Sequence, residues 1–514
     1  MIAVTLEDIA RITGGTLDSV EDPQQQVTGG VEFDSRKVGN GGLFVALPGA
    51  RVDGHDFAET AIEQGAVAVL AARPVGVPAI VVSPKGRLEG EGANADIYAN
   101  DGDGSAAAVV GALSDLARAV TQRLVEEDGL QIVGVTGSAG KTSTKDLIAT
   151  IFRAAGETVA PPGSFNNEIG LPHTALRCTE DTQYLVAEMS ARGIGHIRHL
   201  TDITAPRIGV VLNVGTAHLG EFGSRENIAQ AKGELVEALP SEADGGVAVL
   251  NADDAFVAAM STRAQAKVVY YSAAPTPAPQ AQYYATNIQL DDVARASFQL
   301  HTPHADPEPV QLQVFGAHQV SNALAAAAAA IESGLSVKQV AQALSGHRNC
   351  SEHRMDVLSR RDGVTVIDDT YNANPESMRA AIAALAYTRA ARPDARAIAV
   401  LGEMGELGAD AQGAHSELGA ELSKYHVDHL IAFGDSANTQ AMANAAQARG
   451  ITTTVAHSTA EAAAQVEDIL RHAPAGVEDW AQRTLRDVVL VKASNAQRLW
   501  EVAEQLTETH NPRK

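Results

Sequence analysis

Residues 134–142, Gly-Val-Thr-Gly-Ser-Ala-Gly-Lys-Thr, end on the Gly140-Lys141-Thr142 triplet that closes a phosphate loop, and the stretch is read as one of the G-x-x-x-x-G-K-[ST] kind. An apolar run, Leu130 to Val135, precedes it as a buried strand, and Thr142 to Phe152 follows with helical spacing. Glycines let backbone N–H groups turn inward around an anion. The helix start adds the positive end of its dipole. Gly137, Ser138, Ala139, Gly140, Lys141, Thr142 and Ser143 are therefore expected to hold the phosphates of a nucleotide. Lys141 would bridge the terminal phosphates, and the Thr142 hydroxyl would ligate Mg²⁺.

Other polar groups gather at strand ends. Glu188 ends the apolar run Tyr184-Leu-Val-Ala-Glu-Met189, at the carboxyl edge of a parallel sheet, where α/β ligand sites form. An acid there suits Mg²⁺. His218 leaves the next strand, Ile208 to Val214, on the same edge, and Lys232 lies further on in a helical pattern. Taken singly, these read as well as a solvated acid, a satisfied loop histidine and a surface lysine. Asp34-Ser35-Arg36, followed by Gly41 to Gly49 and Asp53-Gly-His-Asp-Phe57, sets small polar groups beside a strand. Asn166 and Asn167 share the turn-rich loop Gly163 to Pro172. Turn chemistry alone accounts for both loops. In Asp368-Asp-Thr-Tyr-Asn-Ala-Asn-Pro-Glu-Ser-Met378, Asn374 is placed as a helix N-cap and Pro375 at the first helical position. Capping does not explain why Asp369, Tyr371 and Asn372 crowd the strand end before it. Gly402-Glu-Met-Gly-Glu-Leu-Gly408 leaves the next strand on the same side.

The elements that must position these groups alternate as in an α/β protein. A length of 514 residues corresponds to about three domains at roughly 150 residues each. Thr5 and Gly14-Gly15 bracket a first helix, and strands are expected near 43–47, 66–70 and 79–82. Residues 86–105, rich in Gly, Asp, Asn and Ala, read as a flexible insertion. A helix over 106–124 leads into the phosphate-loop strand. Strands follow at 184–189, 208–214 and 246–250, then a small β excursion between Pro-rich patches, then an alanine-rich helix over 321–331. Strands at 364–367, 397–401, 429–433, 452–455 and 487–491 form a second doubly wound unit without a phosphate loop, with its boundary near residue 348.

Composition excludes several classes. The formal charge is −24, so the overall field repels nucleic acid and anionic membrane. An anionic nucleotide must be held by local donors and metal. Two cysteines, Cys178 and Cys350, give neither a disulfide framework nor metal-type spacing. Without a basic leader or a run of roughly 20 apolar residues, the chain is expected in the cytoplasm. It is expected to act as a monomer on small molecules.

With these pieces in order, the chain closely resembles the Mur ligase family, and within it the MurF type, which joins D-alanyl-D-alanine to UDP-N-acetylmuramoyl-tripeptide. The shared loop, Asn166 to Pro172, Asp369 to Met378 and Gly402 to Gly408 carry the likeness. It implies an α/β protein of three domains: a small UDP-substrate domain over 1–105, a central ATPase domain with a mostly parallel sheet over 106–347, and a Rossmann-like domain over 348–514. It also implies contacts of Ser35, Arg36, Asn166, Asn167, Tyr371, Asn372 and Asn374 with substrate, of Asn322 with adenine, and of Arg354 and Asp369 with ATP. Glu188 and His218 match the family's Mg²⁺ ligands, two ions being expected. Lys232 matches a lysine carbamylated in several members; with Lys141 and His218 it completes the expected catalytic set. Glu352-His353 stands where the family commonly has Pro-Gly, so the third domain's first loop is expected to sit differently. Ala-Ser-Asn-Ala-Gln follows Lys492 in place of Gly-Ser-Arg, so Lys492 is not expected to contact substrate or phosphate.

The implied chemistry is activation of a peptide carboxylate as an acyl phosphate, then attack by an amine. Positioning and charge neutralisation dominate such a reaction. Two alternatives stay open: a related ligase acting on another UDP-peptide or on a folylpolyglutamate-type substrate, and a regulatory phosphate-loop ATPase that makes no amide bond.

Overall fold

The computed structural model describes residues 1–49, 52–84, 101–216, 219–303, 305–348, 350–392, 394–405, 407–472 and 487–508. His218 and residues 86–100 lie outside them. Among the described residues three larger sheets carry the fold. The first has five strands, in the order Thr16–Asp18, Ala79–Val81, Ala66–Ala71, Gly42–Val45, Val31–Glu32. Its first pair is antiparallel and the rest are parallel.

The central sheet has nine strands, and Gln131–Thr136 is third from one edge, between Ile208–Val211 and Tyr184–Glu188. All three are parallel, so their carboxyl ends open on one edge. Each is almost wholly buried, which explains apolar runs in place of alternation. The expected β excursion is present as the antiparallel ribbon Tyr283–Leu290, Arg295–Thr302, Ala305–Phe315, which extends this sheet. The helix Gln319–Glu332 buries its alanines Ala325 to Ala330 completely, against the sheet and the Lys141–Arg153 helix. Small side chains let helix and sheet approach closely at interior packing density.

The third sheet has six strands, with Thr365–Asp368, Val488–Lys492 and Ala397–Leu401 adjacent and parallel. An antiparallel strand, Asp356–Ser359, leads into it.

Local signals mostly behave as their chemistry dictates. Thr5 caps Leu6–Thr13 through the Asp8 N–H, and Gly14 ends it at φ 65°. The last residues of the expected flexible insertion are a correction. Asp101 accepts from the Ala106 and Ala107 N–H groups at 2.9 Å each, and so caps the Ser105–Asp128 helix. That helix shares one apolar core with the first helix and the central sheet, through Val109, Leu113 and Leu116. Cys178 is buried, and burial pushes its thiol up to about 12; Cys350 is exposed.

Candidate active site

The phosphate loop is shorter than the spacing first suggests. Gly134 and Gly140 are separated by five residues, one more than G-x-x-x-x-G allows. Gly134 sits inside the strand, opposite Ala187 and Gly209. The loop proper is Gly137-Ser-Ala-Gly-Lys-Thr. Gly140 has φ 82°, which favours glycine, and a Cβ there would stand 2.7 Å from Asn322 Oδ1 and push that side chain aside. Asn213, at the end of the neighbouring strand, staples the loop. Its Oδ1 accepts from the Ala139 N–H at 2.9 Å, and its Nδ2 donates to the Ala139 carbonyl at 3.1 Å. Sequence reading passed over Asn213; its strand-end position on the loop's own edge was the available signal.

Lys141 lies folded back, its ammonium donating to the Gly137 carbonyl at 2.8 Å. The Thr142 hydroxyl is 3.0 Å from Ser164 Oγ, which accepts from Arg354 Nη2 at 2.7 Å. The Arg354 guanidinium lies 3.9 Å over the Tyr371 ring, a cation–π contact. Central and third units therefore meet across the loop.

A cavity of about 530 Å³ opens between them. Loop residues Ser138 to Ser143 form its floor, with Asn166, Asn167 and Glu188 on one side and Asn322 on another. Arg354, Asp369, Tyr371, Asn372 and Asn374 close it from the third unit. Asn374 Oδ1 is committed to its cap, accepting from the Ser377 N–H at 2.9 Å, and Asn167 Oδ1 likewise accepts from the Gly170 N–H at 2.9 Å. Structural work and a place on the cavity wall coincide in both.

Glu188 is buried. Its Oε1 accepts from Asn166 Nδ2 at 2.7 Å, while Oε2 has no partner among the described residues. Lys232 is 3% exposed. Burial, and then the Lys141 charge, hold its amine far below the usual lysine range. The surface-lysine alternative is thus excluded. No group of three or more His, Cys, Asp or Glu among the described residues could hold a metal by itself.

Lys492, to which sequence reading gave no partner, is tied into the same edge. It is buried, and its ammonium donates to Asp369 Oδ2 at 2.6 Å and to the Asn372 carbonyl at 2.7 Å. Asp369 Oδ1 accepts from the Met355 N–H at 3.1 Å. Parallel pairing sets Asp368 opposite Val491, so Asp369 and Lys492 leave one sheet edge together. His353, in place of the family's glycine, adopts φ 61°. Its N–H donates to Asp356 at 2.7 Å, its ring meets Asp368 Oδ2 at 2.7 Å, and its carbonyl accepts from the Tyr371 N–H at 3.0 Å. These bonds offset the cost of a left-handed non-glycine residue, and Arg354 still reaches the cavity.

Ser35 and Arg36 are not brought to this cavity. Ser35 is buried in the first unit. The exposed Arg36 pairs with Asp34 and holds that carboxyl down at about 2.

A nucleotide-type loop on a central parallel sheet, faced by a second α/β unit across one cavity, defines a multidomain phosphate-loop enzyme. The chain matches the Mur ligase middle domain over residues 135–330, the Mur ligase glutamate ligase domain over 353–495, and the Mur ligase family catalytic domain over 28–101. It belongs to the Mur ligase family. It is 51% identical over 522 residues to UDP-N-acetylmuramoyl-tripeptide--D-alanyl-D-alanine ligase of Mycobacterium tuberculosis, with 98% of each chain covered. The Escherichia coli protein of that name is 33% identical, covering 84% of this chain and 86% of its own. Among solved structures, MurF from Acinetobacter baumannii superposes with a TM-score of 0.80 at 28% identity, covering 98% of this chain and 99% of that one. MurF ligase from Thermotoga maritima in complex with ADP gives 0.72 at 26% identity, covering 93% and 97%.

Proposed function

We propose that this chain is an ATP-dependent ligase that joins D-alanyl-D-alanine to UDP-N-acetylmuramoyl-tripeptide, as a monomer, in the cytoplasmic phase of peptidoglycan precursor synthesis. The observation that carries the reading is the single cavity bounded by the phosphate loop and by Arg354, Asp369 and Tyr371 of the third unit. The relatives named above support the substrates. Among the described residues no helix is long and apolar enough to cross a membrane. The three sheets are in keeping with domains at 1–105, 106–347 and 348–514.

Gly137 to Ser143 bind the phosphates of ATP, with Asn322 at adenine and Arg354 and Asp369 at the nucleotide's outer face. Ser35 and Arg36 bind the UDP end of the acceptor; Asn166 and Asn167, and Tyr371, Asn372 and Asn374, line the path of the peptides. The tripeptide carboxylate attacks the γ-phosphorus and ADP leaves. Lys141 shifts from the Gly137 carbonyl to the transferring phosphoryl group. The neutral dipeptide amine then attacks the acyl carbon, phosphate leaves carrying one former carboxylate oxygen, and the amine's surplus proton passes to that phosphate. The cavity between units keeps water from the acyl phosphate.

The buried, half-partnered carboxylate of Glu188 fits a divalent cation, as does the Thr142 hydroxyl, and Lys232 would do so only as a carbamate. Glu188, Thr142, Lys232 and His218 would hold Mg²⁺, which when bound neutralises phosphate charge. A neutral buried amine is the form that adds carbon dioxide, giving a carbamate and releasing a proton. Lys232 would then present an anion in place of a cation. Turnover stimulated by bicarbonate, and rescue of Lys232→Ala by chloride, are the expected signs; full activity of an unrescued Lys232→Ala variant removes the idea.

ADP release tests the whole reading. Stimulation by UDP-muramoyl-tripeptide and D-alanyl-D-alanine together, with a new amide product, is expected. Basal hydrolysis indifferent to both would instead make the chain a regulatory ATPase.

A further inference from the structure

One contact between the units has no part in the scheme above. Glu376 stands in the first turn of the Pro375–Ala390 helix. Its Oε1 accepts from the Thr216 N–H at 2.7 Å and from the Thr216 hydroxyl at 2.8 Å. Thr216 belongs to the loop that leaves the Ile208–Val211 strand. The preceding residue sets the carboxylate's place: a Cβ on Gly215 would stand 2.7 Å from the Glu376 carboxyl carbon, and the carboxylate would have to move. The Gly215 N–H in turn donates to Ser138 Oγ, inside the phosphate loop, at 2.9 Å. Ser138, Gly215, Thr216 and Glu376 thus form a continuous chain of bonds from the phosphate loop to the third unit. Nearby the two units touch backbone to backbone. A Cβ on Gly220 or on Gly408 would come within 2.5 Å of the other's Cα.

We propose that Glu376 is a positioning residue: it latches the loop after Ile208–Val211 to the third unit, so that closure of that unit and setting of the phosphate loop become one event. This rests on the ligase reading and names a control of the same site. A latch made only in the closed state raises the closed population, and therefore turnover, more than it tightens first binding of nucleotide. One oxygen receives both Thr216 donors, so a neutral amide oxygen can replace it, whereas a side chain one methylene shorter cannot reach.

The test compares Glu376→Ala, Glu376→Gln and Gly215→Ala. Glu376→Ala is expected to lower kcat about 30-fold or more, with KM for ATP changed by less than about threefold, while Glu376→Gln stays within about fivefold of the parent. Gly215→Ala leaves Glu376 in place but blocks its approach, and is expected to match Glu376→Ala even should the latter fold poorly. Hydrogen exchange across residues 208–216, with a non-hydrolysable ATP analogue and UDP-tripeptide bound, gives a readout free of turnover. Protection should appear in the parent and Glu376→Gln and vanish in the other two. Equal loss in Glu376→Gln and Glu376→Ala, or unchanged kcat and protection in Gly215→Ala, overturns the latch. Failure of the parent to form an amide while the protection pattern holds would count against the ligase reading alone.

Discussion

Three lysines converge on the phosphate loop and its surroundings under different restraints. Lys141 rests on a loop carbonyl, Lys492 is bound to Asp369, and Lys232 is buried beside the Lys141 charge. Restraint decides what each can do. Lys141 leaves a loop carbonyl for a phosphoryl oxygen, so Lys141→Ala should cut turnover by several orders of magnitude and leave the melting curve nearly unchanged. Near-normal turnover of the purified variant would contradict its role. Lys232 costs the fold free energy, because its amine is desolvated beside a like charge. Lys232→Met should therefore stabilise the metal-free protein by about 1–3 kcal/mol while abolishing ligation. A lower melting temperature in calorimetry would mean that the lysine is paired in solution. Sequence reading found Lys141 because its motif is local. Lys492 escaped because its meeting with Asp369 depends on strand register between segments far apart in the chain.

At the scale of elements, the Lys141–Arg153 helix does two jobs. Its start supports the phosphate loop. Further along, Asp146 accepts from Ser351 Oγ at 2.6 Å, and Thr150 Oγ1 meets His347 Nδ1 at 2.7 Å. The segment entering the third unit is thereby tied to the helix that bears on ATP. Burial pushes the His347 imidazole below its ordinary 6.5. The unfolded chain then binds the proton first, so this stability is fully present above pH 6.5 and is lost as pH falls towards the folded value. His347→Gln should flatten the acid limb of melting temperature against pH; an unchanged slope would contradict the burial argument. Elements were legible where burial was two-sided. The strands at 397–401 and 429–433 fall where apolar runs mark them, and the Asn374 cap and Pro375 stand as their chemistry requires. Less legible were the positions whose conformation is fixed from outside. His353 holds a left-handed backbone through Asp356, Asp368 and Tyr371, and Asp101 orders the end of a stretch whose composition suggests flexibility.

At the scale of the molecule, a net charge of −24 surrounds a cavity furnished with Lys141, Arg192, Arg354 and Lys492. Local donors, not the global field, must therefore hold an anionic nucleotide. The cavity exists only where two units meet, which ties chemistry to their closure. The class of fold was readable from strand and helix alternation, and the family from its motifs. The meeting of units was not, since Thr216 with Glu376 and Ser164 with Arg354 are tertiary pairs without a local signature. The central claim is that the loop's hold on ATP serves to activate a carboxylate. It is tested most directly by supplying UDP-tripeptide labelled with heavy oxygen in its terminal carboxylate, and weighing the phosphate released as D-alanyl-D-alanine is joined. One labelled oxygen should pass into each phosphate, in step with the amide formed. Phosphate free of label would mean that water cleaves the ATP, and would contradict the account.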